Sequence, residues 1–215
     1  MNILDQLYKE KMMAMIRGIQ PEAADRTVEA LAKGGIRLIE VTTNTTDAYK
    51  MVERWRKAYG DDVLFGVGTV LDAEMAKQAM SAGARFIVSP NLDEEVIAYG
   101  SQHHIDVFPG VMTPTEIVKA IRAGARAVKV FPVSSLGGAA YLKEIRAPLD
   151  RIPMIASGGV GPHNLKEIIA AGAAAAGIGG HLVVRKWVES GNYAAIEQRA
   201  RELVELVAGS QDEAE

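Results

Sequence analysis

The chain has 215 residues, 48% of them hydrophobic and 24% charged, enough apolar material for one compact core. Its 24 Lys and Arg are mixed with 27 Asp and Glu for a formal net charge of -3, so no basic stripe is offered and nucleic acid is not an expected partner. The absence of cysteine excludes disulfides, Cys-ligated zinc and a thiol nucleophile. With no signal-peptide pattern and no run approaching ~20 large apolar residues, neither export nor membrane insertion is expected, and a cytoplasmic protein is.

In chain order, an amphipathic segment through Lys11 is expected to cap one end of the strand-helix body that begins at Met12. Apolar strand runs come next at Met12 to Arg17, Leu38 to Thr42, Val63 to Gly68, Phe86 to Val88, Ile105 to Val111, around Val128, at Met154 to Ala156 and from Ala175. Several are almost continuously apolar, as strands buried on both faces are. Four times a helical pattern ends in a small-Gly-small step with a strand directly after it, the aligned glycines being Gly35, Gly83, Gly124 and Gly172. A glycine there suits the left-handed residue that closes a helix. The intervals of 48, 41 and 48 residues each hold two strand-helix units, which makes eight strands. Helix entries are marked by Pro21, by Pro162, and by Thr113-Pro114-Thr115-Glu116, which reads as a capping box. The predicted fold is a single (β/α)8 TIM barrel over residues 1–215, with an N-terminal helix and an acidic tail, Ser210 to Glu215, that is expected to fray.

In such a barrel, reactive groups sit at the C-terminal ends of strands. Period two in Ala127-Val128-Lys129-Val130 sends both valines outward and Lys129 inward. A lysine there either pairs with a carboxylate or acts as an amine nucleophile toward carbonyls. Glu40 shares the inward face of its strand with Leu38 and Thr42, and so supplies either a general acid/base beside an imine carbon or a simple counter-ion for Lys129. Arg17 and Thr69 close strands 1 and 3, where they can hold a substrate carboxylate or serve only as a solvated strand end and a cap. Ser157-Gly158-Gly159-Val160 and Gly179-Gly180 come after the last two strands, where exposed backbone N–H groups and a helix start bind phosphate in barrels; glycine pairs are also tight turns. His103 and His104 are adjacent and no His/Asp/Glu set has metal spacing. Gly66-x-Gly68 meets Leu71 where a dinucleotide fingerprint needs a third glycine. Neither metal nor nicotinamide is expected.

In combination and order, Ile16-Arg17-Gly18, Ile39-Glu40-Val41-Thr42, Gly66-Val67-Gly68-Thr69-Val70, Val88-Ser89-Pro90, the run Phe108 to Glu116, Val128 to Pro132 and Ser157-Gly158-Gly159-Val160 resemble the bacterial 2-keto-3-deoxy-6-phosphogluconate / 4-hydroxy-2-oxoglutarate aldolases, class I enzymes. The resemblance spans nearly the whole chain. It implies an imine at Lys129, Glu40 as general acid/base, and Thr69 and Arg17 orienting the substrate in a pocket shared with Pro90, Asn44 and Phe131. It further implies phosphate contacts from Ser157, Gly158, Gly159, Gly179 and Gly180, no cofactor, a homotrimer, and pyruvate and glyceraldehyde 3-phosphate as products. Two positions depart from well-known members: Asn44 stands where they carry an arginine on the substrate carboxylate, and Gly180 where they offer a serine to the phosphate. Some relatives acting on the galactonate-derived epimer also have an asparagine in the strand 2 loop, so the resemblance covers both sugar configurations. From the residues alone two other classes stay open: a phosphosugar isomerase or epimerase using Glu40 as base, and a non-catalytic phosphosugar-binding protein.

Overall fold

The computed structural model describes residues 2–208, so the expected acidic tail lies outside the described residues. Helix α1 (Ile3–Glu10) is followed by β1 (Met12–Ile16), α2 (Pro21–Lys33), β2 (Leu38–Thr42), α3 (Ala48–Tyr59), β3 (Leu64–Gly68), α4 (Ala73–Ser81), β4 (Phe86–Val88) and α5 (Glu94–Gln102). The second half continues with β5 (Asp106–Phe108), β6 (Gly110–Val111), α6 (Pro114–Arg122), β7 (Val128–Val130), a short 3-10 turn (Val133–Leu136), α7 (Ala139–Arg146), β8 (Met154–Ser157), α8 (Leu165–Ala170), β9 (Ala175–Ile178), α9 (Arg185–Glu189) and α10 (Tyr193–Ala208).

All nine strands run parallel, in the order β5-β4-β3-β2-β1-β9-β8-β7-β6. The run Ile105 to Val111, expected as one strand, is two segments. Pro109 has no N–H to give to a ladder and divides it, but its carbonyl still accepts from Lys129 N at 2.8 Å. Segment β5 pairs with β4 and β6 with β7, so this divided stave joins the two ends of the sheet and brings the barrel to the expected eight staves.

The four aligned glycines all adopt positive φ, between 84° at Gly83 and 111° at Gly124. In each case the next residue's N–H reaches back to a carbonyl in the last helical turn, as Ile36 does to Leu31 and Ala125 to Ala120, both within 3.1 Å. These helix ends are therefore closed by the chain itself before the strand begins. At the other end of α6 the Thr113 and Glu116 capping box is formed in both directions. Pro21 is the first residue of α2, whereas Pro162 precedes α8 by a turn spanning 161–164.

Two separate apolar cores result. Outward residues such as Ile39, Val41, Val67, Val128 and Val130 pack under the helices. Inward ones, among them Met13, Leu38, Leu64, Phe86, Phe108 and Ile155, fill the barrel's lower half together with Ile3 and Leu7 of α1, which closes the end where the strands start. Above this plug the inward positions turn polar or small, and the site lies there.

Candidate functional site

Lys129 and Glu40 project from opposite sides of the barrel interior and meet. Lys129 is 3% exposed and Glu40 fully buried, and Lys129 Nζ stands 4.0 Å from Glu40 Oε2. That is an ion-pair distance but too long for a hydrogen bond, and neither Glu40 oxygen has a hydrogen-bond partner. Two opposite charges withdrawn from water without hydrogen bonds are costly, so the arrangement stores acceptor and donor capacity that a bound molecule can use. The ammonium also lies 5.1 Å from the centroid of the Phe131 ring, which forms one wall.

Glycines clear the space. A β-carbon on Gly68, the neighbour of Thr42 in the β2–β3 ladder, would fall on the Glu40 carboxylate, and one on Gly66 would fall within the Phe86 ring. Phe86 in turn packs on Phe108, centroids 5.9 Å apart, as the floor beneath the pair. The two glycines that fail as a dinucleotide fingerprint thus have a different task, to admit side chains from neighbouring strands.

Around the mouth, Thr69 follows β3 with φ 61°, a left-handed conformation that a β-branched residue adopts only under constraint. Its carbonyl accepts from Thr43 Oγ1 at 2.9 Å, which ties the β2 and β3 loops together. Asn44 is exposed, and its Oδ1 accepts from buried Thr42 Oγ1 at 2.6 Å, while its amide nitrogen carries no hydrogen bond among the described residues. Thr45 Oγ1 accepts from Gly18 N at 2.9 Å, joining this loop to the one carrying Arg17. Arg17 lies one residue beyond β1 with an exposed side chain. Its Nη2 is 3.6 Å from Met15 Sδ, and it lines a cleft of about 480 Å³ with Gln20, Val183, Arg185 and Glu189. Pro90 is half-buried at the end of β4, with its carbonyl against Gly110, where a side chain could not fit.

At the ends of β8 and β9, Ser157 is fully buried, its Oγ 3.4 Å from the Gly177 carbonyl, so the accessible part of that loop begins at Gly158. Gly158 and Gly159 have φ 91° and 76°, and a β-carbon on Gly158 would press on Pro132 and on the Phe131 ring. Gly180 is open, with nothing within 4 Å of its β-carbon position. Met15, beside Arg17 and Gly179, and Gly68, against Glu40, belong to the same mouth, and sequence reasoning does not single them out as site residues. Only the Gly66-x-Gly68 spacing offers a signal, because inward period two places both glycines beside Glu40.

On the β6 side, Glu116 Oε2 accepts from the N–H groups of Met112 and Thr113, both at 2.8 Å. Those bonds, the Met112 one foremost, hold its carboxyl below the usual carboxylate range. Tyr141 donates to the Met112 carbonyl from a site where burial raises its phenol. Among the described residues no cluster of three His, Cys, Asp or Glu is placed to hold a metal ion.

A lysine amine and a carboxylate facing each other in a walled chamber withdrawn from water can form and break a carbon-nitrogen double bond and move the protons that this requires. Comparison with known proteins leads to the same chemistry. The model of the KDPG and KHG aldolase family matches residues 3–199. The chain is 39% identical over 175 residues to 2-dehydro-3-deoxy-6-phosphogalactonate aldolase of Escherichia coli K12, covering 81% of this chain and 85% of that one. It is 32% identical over 205 residues to 2-dehydro-3-deoxy-phosphogluconate aldolase of Treponema pallidum, covering 95% and 97%. KDPG aldolase from Legionella pneumophila, solved with pyruvate captured as a covalent carbinolamine intermediate, superposes with TM-score 0.87 at 27% identity over 93% of this chain and 97% of that one. The chain belongs to the KDPG and KHG aldolase family.

Proposed function

We propose that this protein is a class I aldolase that cleaves a 2-keto-3-deoxy-6-phospho-aldonate, of gluconate or galactonate type, to pyruvate and glyceraldehyde 3-phosphate through an imine on Lys129. A second substrate, 4-hydroxy-2-oxoglutarate, would give pyruvate and glyoxylate by the same steps. The observation that carries this reading is the buried Lys129–Glu40 pair at 4.0 Å with no hydrogen bond on the carboxylate.

The Lys129 amine attacks the C2 carbonyl to give a carbinolamine, and loss of water leaves the iminium. Glu40 then takes the proton of the C4 hydroxyl. The C3–C4 bond breaks, its electron pair passes into the iminium as an enamine, and C4 departs as the aldehyde carbon. Glu40 returns the proton to C3, and hydrolysis releases pyruvate and the free amine. Arg17, Thr69 and the amide of Asn44 orient the keto-acid carboxylate, with Pro90 and Phe131 as walls. Backbone groups of Gly158, Gly159, Gly179 and Gly180 receive the phosphate, while Ser157, expected among them, is buried against the Gly177 carbonyl and supports the loop from below.

The decisive measurement is intact mass after incubation with pyruvate and borohydride, beside Lys129→Ala. One reduced adduct, absent from the variant, is the expected result. No adduct on the folded wild-type protein would sink the proposal in favour of an isomerase, an epimerase or a binding protein. The family resemblance further supports a homotrimer, which light scattering tests. A cytoplasmic location is in keeping with a cysteine-free chain in which no helix among the described residues is long and apolar enough to cross a membrane.

A further inference from the structure

Three threonines in the turn after β2, Thr42, Thr43 and Thr45, each grip one of the groups assigned above to the keto-acid carboxylate. Thr43 Oγ1 donates to the Thr69 carbonyl at 2.9 Å. Thr45, 3% exposed, accepts from Gly18 N at 2.9 Å through its Oγ1, and so fixes the backbone directly after Arg17. Thr42, fully buried, has its Oγ1 2.6 Å from Asn44 Oδ1 and 3.2 Å from Thr45 Oγ1. The turn itself is closed by Thr45 N on the Thr42 carbonyl at 2.9 Å, and the Thr45 carbonyl accepts from Ala48 N at 3.2 Å where α3 begins.

The hydroxyls at 42 and 45 have one order of donation. Thr42 has a single proton, and its shortest contact, Asn44 Oδ1, takes it in preference to the Ile16 carbonyl at 3.3 Å. Thr42 Oγ1 is then the acceptor for the Thr45 proton, and Thr45 Oγ1 receives the Gly18 N–H. A chain therefore runs from Gly18 through Thr45 and Thr42 to the Asn44 oxygen, every link donating in the same sense, so that neighbouring bonds polarise and strengthen one another. Its direction fixes the Asn44 amide. The oxygen is engaged, and the NH2 end, with two donors, is left for a ligand among the described residues. The chain also adjoins the chemical centre. Thr42 lies two residues beyond Glu40 on the same face of β2, Met15 is the register partner of Glu40 on β1, and Arg17 Nη2 lies 3.6 Å from Met15 Sδ. Gly18 turns at φ 63° with nothing within 4 Å of its β-carbon position, so on that side the backbone has no packing and the Thr45 bond holds it.

Resting on the Lys129 imine and the carboxylate contacts of the preceding section, we infer that Thr45 is a positioning residue which, through Thr42, makes the β2 turn selective for a carboxylate beside the reacting carbonyl. It holds Arg17 by the backbone and commits Asn44 to act as a donor. The selection is by hydrogen-bond polarity as well as charge. An amide that presents N–H receives a carboxylate and is mismatched to a carboxamide, which presents N–H of its own. An aspartate at 44 would still accept from Thr42 with one oxygen, but its other oxygen would be an acceptor that repels a carboxylate and suits a carboxamide. A methyl group in place of the Thr45 hydroxyl leaves the exposed Gly18 N–H to water and removes the donor from Thr42, which loosens Arg17 and Asn44 while Lys129 and Glu40 keep their places.

The test is borohydride trapping of the Lys129 adduct, its rate read by intact mass against the concentration of pyruvate or of pyruvamide, in the wild type, Thr45→Val, Thr45→Ser and Asn44→Asp. Thr45→Val is expected to raise the half-saturating pyruvate concentration about three- to tenfold, the worth of one ordinary hydrogen bond, with a much smaller change in the rate at saturation. Thr45→Ser, which restores the hydroxyl, should match the wild type. Asn44→Asp should weaken pyruvate by about tenfold or more and narrow or reverse the preference for pyruvate over pyruvamide. Asn44 is exposed, so this variant tests the polarity independently of folding. An unchanged half-saturation in Thr45→Val, equal losses in the Val and Ser variants, a saturated rate that falls as much as the half-saturation rises, or an Asn44→Asp with the wild-type preference would each overturn the role of the hydroxyl chain. A wild type that forms no adduct would instead overturn the aldolase reading beneath it.

Discussion

The Glu40 carboxylate occupies the place where a β-carbon of Gly68 would be. Residues on paired strands have exchanged volume, so the carboxylate lies against bare backbone rather than being turned away from Lys129 by a neighbouring side chain.

Gly68→Ala should therefore act on chemistry more than on folding. Overpacking at this point costs about 1–3 kcal/mol. Displacing a general acid/base costs about 10²- to 10⁴-fold in rate. We expect kcat to fall within that range while circular dichroism stays that of the wild type. A variant with undiminished kcat would show that Glu40 does not need this position.

The Lys129–Glu40 pair predicts a non-additive pattern in stability. Lys129→Met alone strands a buried carboxylate at 0% exposure, and truncating one partner of such a pair costs roughly 3–5 kcal/mol. Lys129→Met with Glu40→Leu removes both charges and should recover most of that loss, all activity being gone. Urea midpoints of the two single variants and the double variant form the cycle, and simple additivity would contradict the coupling.

Thr69 at φ 61° marks a conflict between stability and function. The left-handed conformation costs a non-glycine residue about 1–2 kcal/mol. Thr69→Gly should then raise the thermal midpoint modestly while raising KM for the keto acid, because the hydroxyl is lost. Thr69→Ser should keep the KM. A Thr69→Gly variant with unaltered KM would remove Thr69 from the substrate contacts.

Glu116 makes a pH prediction whose sign is set by its bonds. Its carboxyl is depressed in the folded protein, chiefly by the Met112 N–H. Its stabilising contribution is complete above the unfolded glutamate value of about pH 4.3 and declines as pH falls toward the depressed folded value. Thermal midpoints measured downward from about pH 5.5 should drop more steeply for the wild type than for Glu116→Gln, which should begin lower and change less over this range. Parallel curves would mean that the capping box does not contribute to acid sensitivity.

Much of the barrel is legible along the chain because its signals are local. The apolar runs, the inward parity of Lys129 and Glu40, the capping box at Thr113 and the four glycines that close helices each depend on residues a few positions apart. The division of β5 from β6 is not legible although Pro109 is plain in the sequence, because a proline at a strand end and one inside a stave look alike until the neighbours Gly110 and Lys129 are known. Arg17, expected to close strand 1 as its last residue, sits one residue past it and exposed, since the last rung of a ladder is set by the partner strand.

By itself the sequence determined the alternation of strands and helices and which two ionisable side chains face inward, since backbone periodicity decides both within a single element, and the number of units, since the glycine steps repeat along the chain. Only the tertiary structure decided that Lys129 and Glu40, 89 residues apart, stand 4.0 Å from each other, that Gly68 yields its space to Glu40, and that His163 meets His181. Those contacts depend on the register between strands and on closure of the barrel, which are set by the packing of every stave together rather than by any one of them.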